Sequence, residues 1–323
     1  VVISLTTTNQ AKANIRQMPR AKKATHIGFI TNALIAIGCG LLATKPTIAT
    51  SEIADLQLFP LSDTVYMLEG GGGNVAICAG DDGILLVDNK LKSIGDQVRV
   101  ALSHFDNPEL KYILNTHFHG DHTGGNRVFG SEAPIIAHAN VRKRLATGAE
   151  FGKRFIETAP DTALPVLTFE SALTLHFNSE EIKAVHFPHG HTDGDIAVFF
   201  TTSKIVHLGD LFFNGLFPFV DLEYGGDVES LTRHIGRLID ELPAETKIIP
   251  GHGPLATLDD LKNYHRMLVA TSAAIRERIA AGKSLDQIRT EGLDTRWEEW
   301  DWAFVPTRRW IEILYWSLIP ARP

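Results

Sequence analysis

One run limits most what this chain can become: Thr116-His117-Phe118-His119-Gly120-Asp121-His122-Thr123-Gly124-Gly125-Asn126. It sets three imidazoles and a carboxylate within six residues, directly after the apolar stretch Tyr112-Ile113-Leu114. Such a stretch ending in a polar, glycine-bearing turn reads as a buried strand whose end aims side chains at one point. Packing alone gives no reason to crowd three partly cationic rings together. Neutral imidazole and carboxylate are, however, the ligands that a borderline cation such as zinc prefers. His117 and His119, two apart, can share one cation. Asp121 and His122 follow where Gly120 lets the chain turn, so they are expected to face a second position nearby.

The run resembles the first metal motif of the metallo-β-lactamase superfamily, and the continuation Thr123-Gly124-Gly125-Asn126 adds to the likeness. A site for two cations needs further ligands at later strand ends. Gly190-His191-Thr192 resembles the second motif of that superfamily, which makes His191 the third ligand beside His117 and His119. His186 and His189 in the same stretch read as loop filling or hydrogen-bonding groups. Asp210, in Leu208-Gly209-Asp210-Leu211, matches the carboxylate that bridges both metals in glyoxalase II and lactonase-like members. His252, in Pro250-Gly251-His252-Gly253, completes the set with Asp121 and His122. Asp88, at the end of Leu85-Leu86-Val87, is expected either to hold a ligand from behind or to sit in a surface turn.

Around these motifs the chain alternates strands and helices. Between Leu56 and Asp88, three apolar runs (Val65 to Leu68, Val75 to Cys78, Ile84 to Asp88) separated by glycine-rich turns predict antiparallel strands. The helical spacing of Ile94, Val98, Ala101, Leu102 and Phe105 leads into the strand before the histidine run, a β-α-β step. Pro134 to Ala137 predicts a strand and Asn140 to Leu145 a short helix, while 146–165 reads as loop. Further strands are expected at 173–177, 181–187, 196–200, 204–208 and 247–249, with a helix capped by Asp227 between the last two. Beyond Thr257 the chain turns helical, and all five tryptophans fall in its tail, at 297, 300, 302, 310 and 316. That tail reads as a helix packed on the body, a lid over the site or a dimer surface. The resemblance implies an α+β four-layer αββα sandwich over residues 50–256, with a C-terminal helical extension over 257–323.

The first 49 residues differ from the rest. They hold six of the 31 basic residues and none of the 38 acidic ones. A basic stretch, Arg20-Ala21-Lys22-Lys23, precedes a mostly apolar run from 27 to 43, and Thr47-Ile48-Ala49 offers a small-residue cleavage site, the layout of a secretory signal peptide. Met18 is a candidate start. The expectation is a periplasmic or secreted protein, with anchoring through 27–43 as the alternative; the apolar run is short for a stable span. Without that segment the net charge falls from −7 to −13, which argues against a nucleic-acid partner. Only Cys78 then remains, so no intrachain disulfide is expected.

The resemblance therefore implies an exported metal-dependent hydrolase with two divalent ions, zinc ahead of iron or manganese. A metal-bridging hydroxide, oriented by Asp121 as the catalytic residue, would cleave an ester, lactone, thioester or amide of a small molecule. The alternatives are a β-lactamase-type amide hydrolase, an iron-dependent oxidative member and a non-catalytic metal-binding member. Asp210 stands where the superfamily's β-lactamases tend to have Cys or Ser, and His119 stands where the di-iron flavoprotein branch has Glu. An apolar wall for an acyl or aromatic group is read into Phe212, Phe213, Phe217, Phe219 and Tyr224, with core packing as its rival.

Overall fold

The computed structural model describes residues 3–5, 56–151 and 154–319; the basic and apolar segment read as a leader lies outside the described residues. The described residues belong to one compact unit. Its chain runs β1 (Ile3–Leu5), β2 (Leu56–Pro60), β3 (Val65–Glu69), β4 (Val75–Gly80), β5 (Gly83–Val87), α1 (Gly95–Leu102), β6 (Leu110–Asn115), α2 (Gly120–Thr123), α3 (Asn126–Phe129), β7 (Ile135–His138) and α4 (Ala139–Thr147). It continues through β8 (Ala149–Phe151), β9 (Arg154–Ile156), β10 (Leu167–Phe169), β11 (Ala172–Phe177), β12 (Glu180–His186), β13 (Ile196–Phe200), β14 (Ile205–His207), α5 (Val228–Glu241), β15 (Lys247–Ile249), α6 (Leu258–Ala280), α7 (Leu285–Glu291) and α8 (Thr307–Leu318).

Among the described residues two large sheets form, one in the order β1-β2-β3-β4-β5-β6-β7-β10 and one in the order β11-β12-β13-β14-β15. Strand alternation decides how they stack. In β4 and β5, Ala76, Cys78, Leu85 and Val87 point into one core, where they meet Ile182, Ala184, Ile196, Val198 and Phe200 of the second sheet. The intervening residues Val75, Ile77, Ile84 and Leu86 face outward onto Val98, Ala101 and Leu102 of α1. The second sheet turns Ala197 and Val206 outward onto α5, α6 and α8. Both faces of β5 are buried, which is why Gly83–Val87 reads as an unbroken apolar run. The layers are thus α, β, β, α.

Several details depart from the sequence reading. Leu56–Pro60 forms a strand of its own, so four strands rather than three span 56–88. Residues 146–165, read as loop, contain the β8–β9 hairpin. β10 was not expected: it is three residues long, and Val166 and Leu167 are exposed, so no alternation marks it. Gly120 supplies no unusual backbone angle; Asp121 and His122 lie on the single helical turn α2. The helix starts follow the sequence more closely. Asp227 caps α5 by accepting from the Ser230 N–H, and Thr257 with Asp260 forms a capping box for α6. Among the described residues no helix is long and apolar enough to cross a membrane.

Candidate metal centre

The seven side chains singled out in the sequence meet at one edge of the sandwich. His117 and His119 follow the end of β6, Asp210 follows β14 and His252 follows β15, while His191 lies in the loop between β12 and β13. β14 and β15 run parallel and β13 runs antiparallel to β14, so these loops share one edge. The Ile196 N–H donates to Thr116 O at 2.9 Å and ties that edge to β6 in the other sheet.

Two groups result. His117, His119, His191 and Asp210 present ligand atoms within 4.8 Å of one another, and so do Asp121, His122 and His252. Asp210 faces both groups. Its Oδ2 lies 3.7 Å from His117 Nε2 and 3.4 Å from His191 Nε2, and its Oδ1 lies 3.0 Å from His122 Nε2 and 3.5 Å from His252 Nε2. Asp121 Oδ2 is 3.2 Å from His252 Nε2. Most of these groups are closed off from solvent, but the Asp121 side chain is 31% exposed and that of His252 16%. The open mouth of the site therefore lies over that pair.

The hydrogen bonds behind the rings set which nitrogen faces inward. His119 Nε2–H donates to Asp221 Oδ2 at 2.9 Å, His122 Nδ1–H to Asp88 Oδ2 at 2.7 Å and His191 Nδ1–H to Phe219 O at 2.6 Å. The Thr116 hydroxyl donates to Asp88 Oδ2 and is left to accept from His117 Nδ1–H at 3.0 Å. Each ring thus spends its outer nitrogen and points the other at the centre. There, His117 Nε2, His122 Nε2 and Asp210 Oδ1 are buried without a hydrogen bond. Buried polar atoms left unpaired cost of order 1–3 kcal/mol each, and three of them converging make a donor set that a divalent cation fits.

Electrostatics agree with that fit at His117, His191 and Asp210. Burial, reinforced by His122 and the other rings, pushes His117 well below the ordinary imidazole value. Burial, with His119, likewise pushes His191 down to about 4. Both are therefore held neutral, the form that ligates. Burial alone would raise the Asp210 carboxyl, but His122, His252, His117 and His191 outweigh it and hold it well below the usual range. Burial would lower His122, yet Asp210, Asp88 and Asp121 push it well above its ordinary value.

The framework leaves little room for change. A Cβ on Gly73 would lie 2.2 Å from the His122 ring, and one on Gly251 would lie 2.0 Å from Asp210 Oδ1. Asp88 is fully buried and accepts from the Thr116 N–H and hydroxyl as well as from His122, so it occupies no surface turn. His186 and His189 stay outside both groups; they donate to backbone carbonyls of Asp193 and Gly225. Asp221, to which the sequence reading assigned no role, is the buried partner of His119. Of the expected apolar wall, Phe212, Phe213 and Phe217 are all core residues, and Phe213 also stacks on His252 with centroids 5.1 Å apart.

The sequence signature of the metallo-beta-lactamase superfamily matches residues 64–252, more than half of the chain. The hydroxyacylglutathione hydrolase of Pelagibacter ubique is 28% identical over 185 residues, which is 54% of this chain and 68% of that protein. The probable metallo-hydrolase YqgX of Bacillus subtilis is 29% identical over 145 residues, 44% of this chain and 68% of that one. Among solved structures, the metallo-beta-lactamase from Pontibacter korlensis superposes with a TM-score of 0.56 at 18% identity, covering 66% of this chain and 99% of its own, a likeness of fold.

Proposed function

Because the chain belongs to the metallo-β-lactamase superfamily and is a metal-dependent hydrolase, we propose that it cleaves an ester, lactone, thioester or amide of a small molecule with two divalent cations, zinc ahead of iron or manganese. Asp210 carries this reading: one oxygen faces His117 and His191, the other His122 and His252. A carboxylate so shared suits two cations held close together, since its charge offsets their repulsion. His117, His119 and His191 would hold one cation, and Asp121, His122 and His252 the other. When bound, the pair supplies Lewis acidity and a water acidified towards neutrality. Asp121 faces the open mouth and is held ionised by His122 and His252 against the effect of burial. It is the carboxylate placed to orient the attacking water. Asp221 and Asp88 keep the rings of His119 and His122 from turning.

The test is elemental analysis of the purified protein together with hydrolysis of an ester, lactone, thioester and amide panel, before chelation, after it and after metal is restored. Two equivalents and activity that follows them support the reading. An inert, fully loaded protein, or one equivalent sufficing for full turnover, overturns it. We further propose export, supported by the basic stretch at 20–23 ahead of the apolar run at 27–43. Cell fractionation with mass analysis of the isolated protein tests this, and a cytosolic protein retaining that run would count against it.

A further inference from the structure

The C-terminal segment departs from the rest of the tail in where it spends its aromatic surface. Trp310 and Trp300 are buried in the core against α5 and α6. Trp302 and Phe304 are not. The Trp302 ring lies 5.8 Å from the His252 ring and 6.2 Å from Phe213, and its Nε1–H donates to Phe217 O at 2.9 Å. Phe304 lies 5.5 Å from Trp302 and 5.7 Å from Phe219, yet remains 41% exposed. Phe219 in turn sits 5.9 Å from both His119 and His191. A continuous row, Phe213, Trp302, Phe304 and Phe219, therefore borders the candidate metal centre, from His252 at one end to His119 and His191 at the other. Arg309 stiffens the row: its guanidinium lies 4.8 Å from the Phe219 centroid and 4.4 Å from that of Phe304, and it donates to Phe304 O. Residues 302, 304 and 309 all lie beyond the superfamily match, which ends at 252.

We propose that this row is the substrate-binding wall of the site, and that it receives an apolar group, aliphatic or aryl, on the acyl side of the scissile bond. The proposal rests on the hydrolase reading above. Phe304 faces water while its ring contacts Trp302, which lies beside His252, and Phe219, which lies beside His119 and His191. The Arg309 charge is taken up between two rings, and the exposed polar group of the mouth is the Asp121 carboxylate, so a neutral apolar group is favoured over an anionic one.

The experiment compares p-nitrophenyl acetate, octanoate and phenylacetate as substrates of the metal-loaded protein, and acetate, octanoate and phenylacetate as ligands by calorimetry. The wild type should favour octanoyl or phenylacetyl over acetyl in kcat/KM and in affinity, and Phe304→Ala should shrink that preference roughly tenfold, the scale of lost apolar contact in a pocket. Trp302→Ala should act in the same direction, and Phe304→Ala carries the test if that variant does not fold. Whichever of the octanoyl and phenylacetyl arms is preferred names the group. A preference left intact in Phe304→Ala, or absent in the wild type, overturns the wall. If no ester is turned over, the ester arm of the hydrolase reading fails on its own, and the calorimetric series still decides whether the wall binds apolar groups.

Discussion

Two groups of histidines lie at or just beyond the strand ends of this sandwich, and they differ in what their inner nitrogens meet. His138 and His186 stack face to face, centroids 3.7 Å apart and planes 16° from parallel. His138 accepts the Asn140 N–H on Nδ1 and donates from Nε2 to Glu170 O, and His186 donates from Nε2 to Asp193 O. Both nitrogens of His138 and one of His186 are thus engaged by backbone, and the rings serve as packing. In the candidate metal centre, the backing groups Asp221, Asp88, Thr116 and Phe219 O take the outer nitrogens, and the inner ones face each other around Asp210. Imidazole density is therefore not what makes a cation site. An unspent nitrogen, aimed by a partner behind it, is.

The sharpest way to break this contrast is at the carboxylate both groups share. Asp210→Ala should lower hydrolysis by roughly 10³-fold, the scale of removing a main electrostatic element of an active site, and should cut the bound metal from two equivalents to one or none. Retention of both equivalents in that variant would separate Asp210 from the cations. The next largest contrast is between single rings. His117→Ala should weaken metal binding by on the order of 100-fold or more, while His186→Ala, with the same atoms removed, should leave metal affinity unchanged; calorimetric metal titrations of both variants measure this directly.

The same contrast explains how much could be read from the chain. His117, His119, Asp121 and His122 were legible because their neighbours in sequence are their neighbours in space. His191, Asp210 and His252 were found through motif resemblance, each as the polar residue after an apolar run. The backing groups had no such signal: Asp221 is 102 residues from His119 and sits in a loop with no periodicity. Asp88 could be suspected only because it ends a buried strand, and nothing local tells a buried carboxylate from a turn. The five tryptophans looked alike in sequence, yet Trp310 fills the core and Trp302 borders the site. That distinction depends on where the segment after α7 crosses the sheet edge. The sandwich itself was readable from alternation and buried apolar runs; β8, β9 and β10 were not.

A smaller effect tests the backing groups. Asp221→Asn keeps the shape of the side chain but removes the charge that orients His119, and should weaken metal binding about 10- to 100-fold, with the protein still folded. If affinity is unaltered, the hydrogen bond from His119 Nε2–H to Asp221 is packing, and the difference between the two histidine groups narrows.

The smallest effect belongs to the stacked pair and concerns pH. Burial, with His138 beside it, lowers the His186 imidazole below its ordinary value of 6.5. Facing groups moderate this, since the Asp193 carbonyl accepts its N–H and the Asp193 and Glu170 carboxylates lie near. In the folded protein the ring stays neutral where the unfolded chain already takes up a proton. Its contribution is therefore fully present above about 6.5 and is lost as pH falls through the lower folded value. Because the ring is half-buried, the loss should stay below about 1 kcal/mol. Urea midpoints of the wild type and His186→Gln, measured at pH 7.5 and 5.5, isolate it: the drop on acidification should be smaller in the variant. An equal drop would mean that the ring titrates alike in both states, and that its burial does not hold it neutral.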